Sequence, residues 1–210
     1  MLFASGSRRF QAWRAGVRAS MNRPMDVAPF LTGQFLLAMP GIGDPRFEHA
    51  VIAMCSHDAG GALGVGLGTI IDGLGFHDLL DSFKIPHGKA PDVPIHFGGP
   101  VEPRRGFVLH SLDWNGGDMV DVAGRWGLST TVDVLRAIAG GTGPARWTVA
   151  LGYAGWGEGQ LDGELARPGW LNVAGDDALL FDTPAAERWA RGFAAAGVDP
   201  RLLVTGAGNA

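Results

Sequence analysis

The sequence predicts an α+β fold, and three observations support that prediction. Short apolar runs typical of strands are separated by turns rich in glycine, proline and aspartate. Apolar residues at helical spacing occur in only a few segments, too irregularly placed for a doubly wound parallel sheet. With 210 residues, of which 46% are hydrophobic, the chain is long enough for a single domain with a substantial core.

The first part of the chain is predicted to form mainly strands. Apolar runs indicate strands at residues 34–39, 50–55, 62–68 and 93–97. The turn at residues 57–61 joins the second and third of them as a hairpin. Apolar residues at helical spacing predict a short amphipathic helix over residues 76–83. The fourth strand leads into the turn Gly98-Gly99-Pro100.

The second part of the chain repeats the same two kinds of element. Apolar runs predict strands at residues 106–110, 147–151, 170–173 and 178–181. Thr130 or Thr131 can cap a helix over residues 132–139. A further helix is predicted from Thr183-Pro184 to Gly197, because threonine suits the cap and proline the first helical position.

One stretch, residues 152–165, combines a high density of glycine with aromatic and acidic residues. It holds five glycines, two aromatic residues and three acids directly after a predicted strand. Glycine at this density is typical where the backbone takes positive φ or approaches another group closely. Tyr153 and Trp156 add flat apolar surface with a polar tip. The stretch therefore predicts either a binding loop or a tight buried corner.

The charge distribution divides the chain into a basic N-terminal arm, residues 1–30, and a single acidic domain, residues 31–210. Residues 1–25 carry five arginines and no acid, which suggests a targeting segment, a loose arm or a start assigned too early. The other residues hold 12 basic and 21 acidic groups, a net charge of −9. This acidity disfavours direct binding of nucleic acid.

Cysteine content and hydropathy suggest a compartment for the protein. The single cysteine, Cys55, cannot form an internal disulfide, which fits a reducing compartment, and we expect a cytoplasmic protein. No apolar run approaches the ~20 residues of a membrane span, so no membrane association is expected.

Five segments of the chain, in order, resemble the YqgE/AlgH family of bacterial proteins. They read GQFLLAMP (residues 33–40), HDAGGALG (57–64), GGPV (98–101), GFVLH (106–110) and GYAGWGEGQL (152–161). The resemblance extends over about residues 31–208. It implies an α+β fold with a bent, partly barrel-like, mostly antiparallel sheet flanked by a few helices. It implies no activity, since none is established for the family, although some members are labelled transcriptional regulators.

Two groups of residues could support catalysis. Cys55 and His57 are two residues apart on a predicted strand, where both can face the same side and form a reactive thiolate pair. Glu158 and Asp162 would share one face of a helical turn, where repulsion could raise one pKa for acid–base work. Core packing of the cysteine and helix-dipole effects of the acids are the alternative explanations.

No cofactor or metal ion is expected. In the run Gly64-Val65-Gly66-Leu67-Gly68 the third glycine falls one position too early for a dinucleotide-binding fingerprint, and no helix follows it. The glycines are explained more simply by a strand that lies under a close neighbour. The six histidines lack metal-site spacing within any one helix or turn, and only a site assembled across strands from His57, His96 and His110 is conceivable.

The leading hypothesis is a binding or regulatory module without catalysis, acting on an unknown small molecule or protein partner. Glycine-rich and polar breaks between apolar strands are where pockets form. The predicted ligand-binding residues are His57, Gly98, Gly99, Pro100, His110, Trp156 and Gln160. The alternatives are a thiol- or carboxylate-based enzyme using Cys55 and His57, and a transcriptional regulator acting indirectly.

Overall fold

The structure is a computed structural model that describes residues 30–203, and these residues contain a sheet of ten strands. The strands are β1 (Phe35–Ala38), β2 (Val51–Asp58), β3 (Gly61–Gly66), β4 (Ile70–Gly75), β5 (Pro94–Phe97), β6 (Val101–His110), β7 (Val120–Val122), β8 (Trp126–Ser129), β9 (Trp147–Trp156) and β10 (Trp170–Val173). Only β5 and β9 pair in parallel among these strands, and the other pairings are antiparallel. The predicted α+β class is confirmed.

Four α-helices flank the sheet within the described residues. They are α1 (Phe76–Ser82), α2 (Val132–Gly140), α3 (Gln160–Leu165) and α4 (Ala185–Ala195). The 3-10 turns Pro45–Phe47 and Pro200–Leu202 and the π-helical turn Ala178–Asp182 complete the regular structure. Helix α2 ends as its sequence predicts, because Gly141 takes the left-handed conformation with φ of 74°.

The sheet curls into a half-barrel, as the family resemblance implies. Its main strand order is β10-β1-β2-β3-β9-β6-β8-β7. Strands β9 and β10 are four places apart in that order, which in a flat sheet would separate them by ~19 Å. The rings of Trp156 and Trp170, one on each strand, nevertheless have centroids only 6.3 Å apart. The curl therefore brings the end of β9 to the start of β10.

Both faces of the central strands are buried, which explains why their sequences are apolar without alternation. Phe35 and Leu37 of β1 pack in one cluster with Phe193 of α4. Leu36, between them, packs on the opposite face with Leu161 of α3. A third cluster joins α1 and α2 to the far part of the sheet.

One predicted strand, at residues 178–181, is wrong, because these residues form the π-helical turn Ala178–Asp182. The buried Arg188 explains the difference. Its guanidinium donates hydrogen bonds to the carbonyl oxygens of Leu179, Leu180 and Thr183, at 2.9, 3.2 and 2.8 Å. Carbonyls bound in this way are not available to a neighbouring strand.

Three strands, β4, β7 and β8, were not predicted, and others extend beyond their predicted bounds. Strand β4 was not predicted, because Asp72 and Gly73 interrupt its apolar pattern. Strand β9 continues through Gly152 to Trp156, a segment read from sequence as the beginning of a loop.

The predicted N-terminal arm lies outside the described residues, apart from Phe30. No helix in residues 30–203 combines the length and the apolar character that crossing a bilayer would require.

Candidate functional site

A cleft of about 450 Å³ lies where the end of β9, helix α3 and the start of β10 meet the 3-10 turn Pro45–Phe47. Rings form part of its walls, contributed by Phe47, Pro100, Trp156, Pro168 and Trp170. We name it the aromatic cleft. Its volume falls in the ~300–1,000 Å³ range of small-molecule sites.

The carboxylate of Glu164 holds the two tryptophans of the aromatic cleft in place. The indole N–H groups of Trp156 and Trp170 both donate to its Oε2 atom, at 2.9 and 3.0 Å. The amide of Gln160 donates to its Oε1 atom at 3.1 Å. Because its oxygens already accept three hydrogen bonds, Glu164 positions the rings and most of its acceptor capacity is used within the protein.

Gln160 fixes the loop that precedes α3. Its Oε1 atom accepts a hydrogen bond from the backbone N–H of Gly157 at 3.1 Å, while its amide nitrogen donates to Glu164. The predicted ability of this amide to donate and accept at the same time is thus used within the protein, at the border of the cleft.

The aromatic rings pack edge to face along one side of the aromatic cleft. Phe47 and Trp170 have centroids 5.6 Å apart and planes inclined by 71°, and Trp156 and Trp170 have planes inclined by 81°. Trp156 is 8% exposed, whereas Trp170 and Phe47 are half-buried. The cleft therefore offers ring carbons to a ligand, since both indole N–H groups point to Glu164.

Gly98 and Gly99 line a narrow slit beside the aromatic cleft, and Phe47 and Ala154 belong to both cavities. A Cβ atom on Gly99 would lie 2.3 Å from the carbonyl carbon of Tyr153, and its φ is 146°. Only glycine allows this approach between the two backbones. The turn therefore packs directly against the glycine-rich part of β9, and Pro100, which follows it, lines the cleft.

Charged side chains stand at the mouth of the aromatic cleft. Arg46 pairs with Asp44, with Nη2 and Oδ2 separated by 2.6 Å and Nε and Oδ1 by 3.0 Å. Hydrogen bonding from Arg46 lowers the pKa of Asp44 and raises the pKa of Arg46 itself. Arg167 also lines the cleft, is exposed, and forms no ion pair with another residue in the range 30–203.

His57 lies close to the aromatic cleft but on its far side. It pairs with Ala62 on β3, which in turn pairs with Trp156 on β9, so His57 and Trp156 are two strands apart, or ~10 Å. Its Nδ1 atom accepts a hydrogen bond from the Leu31 N–H at 3.3 Å, and its Nε2 atom lies 3.6 Å from Asp162 of α3. The histidine anchors α3 and does not line the cavity.

The structure does not bring His110 to the other predicted residues. His110 pairs with Trp147, at the opposite end of β9 from Trp156, which is ~30 Å along a ten-residue strand. It is fully buried, its Nε2 lies 3.0 Å from the Ser129 hydroxyl, and burial lowers its pKa. The sequence placed it with the others because strand order along the sheet was not known.

The predicted pair of Cys55 and His57 is not formed, because a β-bulge between Met54 and Ser56 interrupts the register of β2 and β3. Cys55 packs in the core with Phe35, while His57 contacts Phe30 and Asp162 on the other side. The thiol is completely buried, donates to the Ala53 carbonyl at 3.5 Å, and has a pKa raised by burial. These properties oppose formation of a nucleophilic thiolate.

The acid pair considered for catalysis and the conceivable cluster of His57, His96 and His110 are not formed either. Glu158 lies before α3, and Asp162 is directed to His57. Across residues 30–203, no three side chains of histidine, cysteine, aspartate or glutamate gather as a metal ion requires.

Sequence reasoning missed three contributors to the aromatic cleft, namely Phe47, Glu164 and Trp170. None of these three residues was singled out from the sequence. The spacing of Trp156, Gln160 and Glu164 held a usable signal, since the last two lie at i and i+4 on a helix.

Comparison with known proteins identifies the family. The AlgH-like family model matches residues 35–201. A UPF0301 protein of Rhizorhabdus wittichii is 60% identical over 186 residues, covering 89% of this chain and all of the relative. A UPF0301 protein of Sphingopyxis alaskensis is 59% identical over 187 residues, again covering 89% of this chain and all of the relative.

Two solved structures share the fold. The solution structure of the AlgH protein from Pseudomonas aeruginosa matches with a TM-score of 0.71 and 38% identity, covering 90% of this chain and all of that one. A crystal structure of protein DIP2367 from Corynebacterium diphtheriae matches with a TM-score of 0.63 at 18% identity, over 80% of this chain and 87% of that one, and it supports the fold alone. With its five sequence motifs, its half-barrel sheet and these matches, the chain belongs to the YqgE/AlgH family.

Proposed function

We propose that this protein is a cytoplasmic, non-catalytic binding module whose ligand occupies the aromatic cleft. The observation that carries the proposal is the Glu164 carboxylate, which fixes Trp156 and Trp170 at the border of a cavity of about 450 Å³. Rings held by hydrogen bonds before a ligand arrives lose little conformational entropy on binding.

Apart from His110, the remaining predicted residues have supporting places in this proposal. Pro100 and Gln160 line the aromatic cleft, and Gly98 and Gly99 line the adjoining slit. Loop segments carried on a rigid sheet are common positions for binding residues. His57 acts through α3, which bears both Gln160 and Glu164.

The enzymatic alternative has less support. A thiol mechanism needs an accessible thiolate, and Cys55 is buried with a raised pKa. Regulation of transcription remains compatible with the proposal if the ligand or a partner protein, rather than DNA, is what the domain recognises.

Ligand-observed NMR with a library of small ring compounds tests the proposal. We expect hits that bind the wild-type chain and are lost in Trp170→Ala, because that substitution removes one wall of the aromatic cleft. Trp170→Phe keeps a ring and should retain part of the binding, which separates loss of the wall from loss of folding.

Trp114→Phe is the matched control, because Trp114 contacts His110, at the other end of β9. Hits should bind this variant as they bind the wild type. Compounds that bind equally to the wild type, Trp170→Ala and Trp170→Phe would place the binding site elsewhere and contradict the proposal.

A further inference from the structure

We propose that the ligand of the aromatic cleft is a flat aromatic ring bearing an anionic group, recognised by Trp170 and Arg167. This inference rests on the proposed binding function and specifies the chemistry of its ligand. It follows from the shape of the cavity and from the charges that remain available around it.

The ring part of the ligand follows from the walls. Phe47, Trp156 and Trp170 form a chain of edge-to-face contacts, and the half-buried Trp170 stands in the middle of it. Since its indole N–H is bound to Glu164, what this side chain offers the cavity is the surface of its ring. Aromatic surfaces of this kind favour offset-stacked or edge-to-face contact with another planar ring.

The anionic part follows from the four charged side chains that line the cleft, Asp44, Arg46, Glu164 and Arg167. Asp44 and Arg46 neutralise each other through a two-point ion pair. Glu164 keeps its negative charge, but its oxygens are directed to three neutral hydrogen-bond donors of the protein itself. Among the lining charges in the described part of the chain, Arg167 is left without a partner of opposite charge, and a carboxylate or a phosphate monoester is its natural complement.

The test uses matched probes that differ only in charge. Binding of 2-naphthoate and of its neutral analogue 2-naphthamide is measured by isothermal titration calorimetry. We expect naphthoate to bind up to about fivefold more tightly, the advantage of one ion pair at an exposed site. A second pair, adenosine monophosphate and adenosine, replaces the carboxylate by a phosphate. Tighter binding of the charged member in either pair shows which anionic group the cleft prefers. Equal affinities within both pairs would overturn the inference.

Two substitutions assign the preference to the cleft. Arg167→Gln should reduce the affinity for the anionic probe to that for the neutral one. Asp44→Asn should increase the affinity for the anionic probe severalfold, because it releases Arg46 from its ion pair. A gain in affinity cannot result from a misfolded variant. Anion affinity that is unchanged in both variants would contradict the inference.

Arg136→Gln and Asp133→Asn serve as matched controls, because these residues form an exposed ion pair on α2 and should leave probe binding unchanged. The outcomes also separate the two proposals. Equal binding of naphthoate and naphthamide that depends on Trp170 would overturn the anionic preference alone. Binding of both probes that is independent of Trp170 would overturn the proposed function as well.

Discussion

Trp156 and Trp170 donate their indole hydrogens to one and the same oxygen atom, Oε2 of Glu164, although β9 and β10 are separated in the sheet by three other strands. Helix α3, which carries Glu164, lies between these two strands in sequence. The shared acceptor therefore links two strands that are not neighbours in the sheet, and it sets the shape of the aromatic cleft at the same place.

Replacement of this acceptor gives the first prediction. Glu164→Gln puts an amide N–H₂ in place of one carboxylate oxygen, so at least one donor loses its partner. The unfolding free energy should fall by ~1–3 kcal/mol. Urea denaturation followed by tryptophan fluorescence measures this change, and Glu158→Gln, at an exposed position two residues before α3, should have no effect. Equal stability of the two variants would mean that the shared acceptor contributes nothing.

The contact between Gly99 and Tyr153 gives the second prediction. Gly99→Ala would bring a methyl group to within 2.3 Å of a backbone carbonyl carbon, so we expect a loss of ~2 kcal/mol or more in stability. Gly163→Ala is the contrasting control, because a Cβ atom there meets nothing within 4 Å and the residue lies inside α3. That variant should gain ~0.5–1 kcal/mol. Thermal or urea unfolding distinguishes the two outcomes.

The third prediction concerns Arg188, which donates to four backbone carbonyls, those of Leu67, Leu179, Leu180 and Thr183. Burial lowers the pKa of its guanidinium to about 10, and it is still charged at neutral pH. Arg188→Met should cost ~3 kcal/mol or more, because several buried acceptors lose their donors. Arg191→Met, on the exposed side of α4, should cost less than ~1 kcal/mol. A similar loss in both variants would argue against this role.

The fourth prediction is a pH dependence of stability caused by His96. Burial, together with the charge of Arg188, lowers the pKa of this imidazole to about 4 from an ordinary 6.5. The unfolded chain therefore takes up the proton first. The contribution of His96 to the free energy of unfolding is therefore fully present above pH 6.5. It decreases as the pH falls towards 4, by at most about 3 kcal/mol.

His96→Phe isolates this effect. Its Nδ1 atom has no hydrogen-bond partner within the described residues, so the substitution removes no bond at that atom. Urea denaturation at several pH values between 4 and 7 should show a shallower dependence in the variant than in the wild type. His110, whose pKa is also lowered by burial, contributes with the same sign in both proteins. Identical slopes would exclude a contribution from His96.

The fifth prediction concerns the accessibility of the single thiol. Because Cys55 is fully buried and its pKa is raised, a disulfide reagent should modify the native chain at pH 7 at least ~100-fold more slowly than the urea-unfolded chain. Rapid modification under native conditions would show that the thiol reaches solvent, and would restore the enzymatic alternative.

The sequence was sufficient for the elements that local patterns determine. The helix over residues 132–139 and the strand that follows it were predicted from a cap and an apolar run. The segment Ala178–Asp182 was not, because its backbone conformation depends on Arg188, a residue several positions further along the chain. The end of β9 was interpreted as either a binding loop or a tight corner, because the sequence does not show that Gly152 is required by its backbone contact with Gly99.

The same reason limits prediction of the site. Pro100, Trp156 and Gln160 were identified because each stands in a conspicuous motif. Phe47 and Trp170 reach the cleft only through the curl of the sheet, which no local pattern records. The bulge in β2 also could not be read from a local pattern. It places Cys55 and His57 on opposite faces of the sheet, because one extra residue in a strand changes the face of every side chain after it.

Strand β9 has a consequence for biosynthesis. It pairs with β3, β5 and β6, all of which leave the ribosome before it. Until residues 147–156 have been made, these three strands lack their common neighbour, and their apolar faces and unpaired edges stay open to other chains. A nascent chain that stalls before Trp147 is therefore expected to depend on chaperones. That dependence should end once residues 147–156 have been made, and the end of this same strand later borders the cleft.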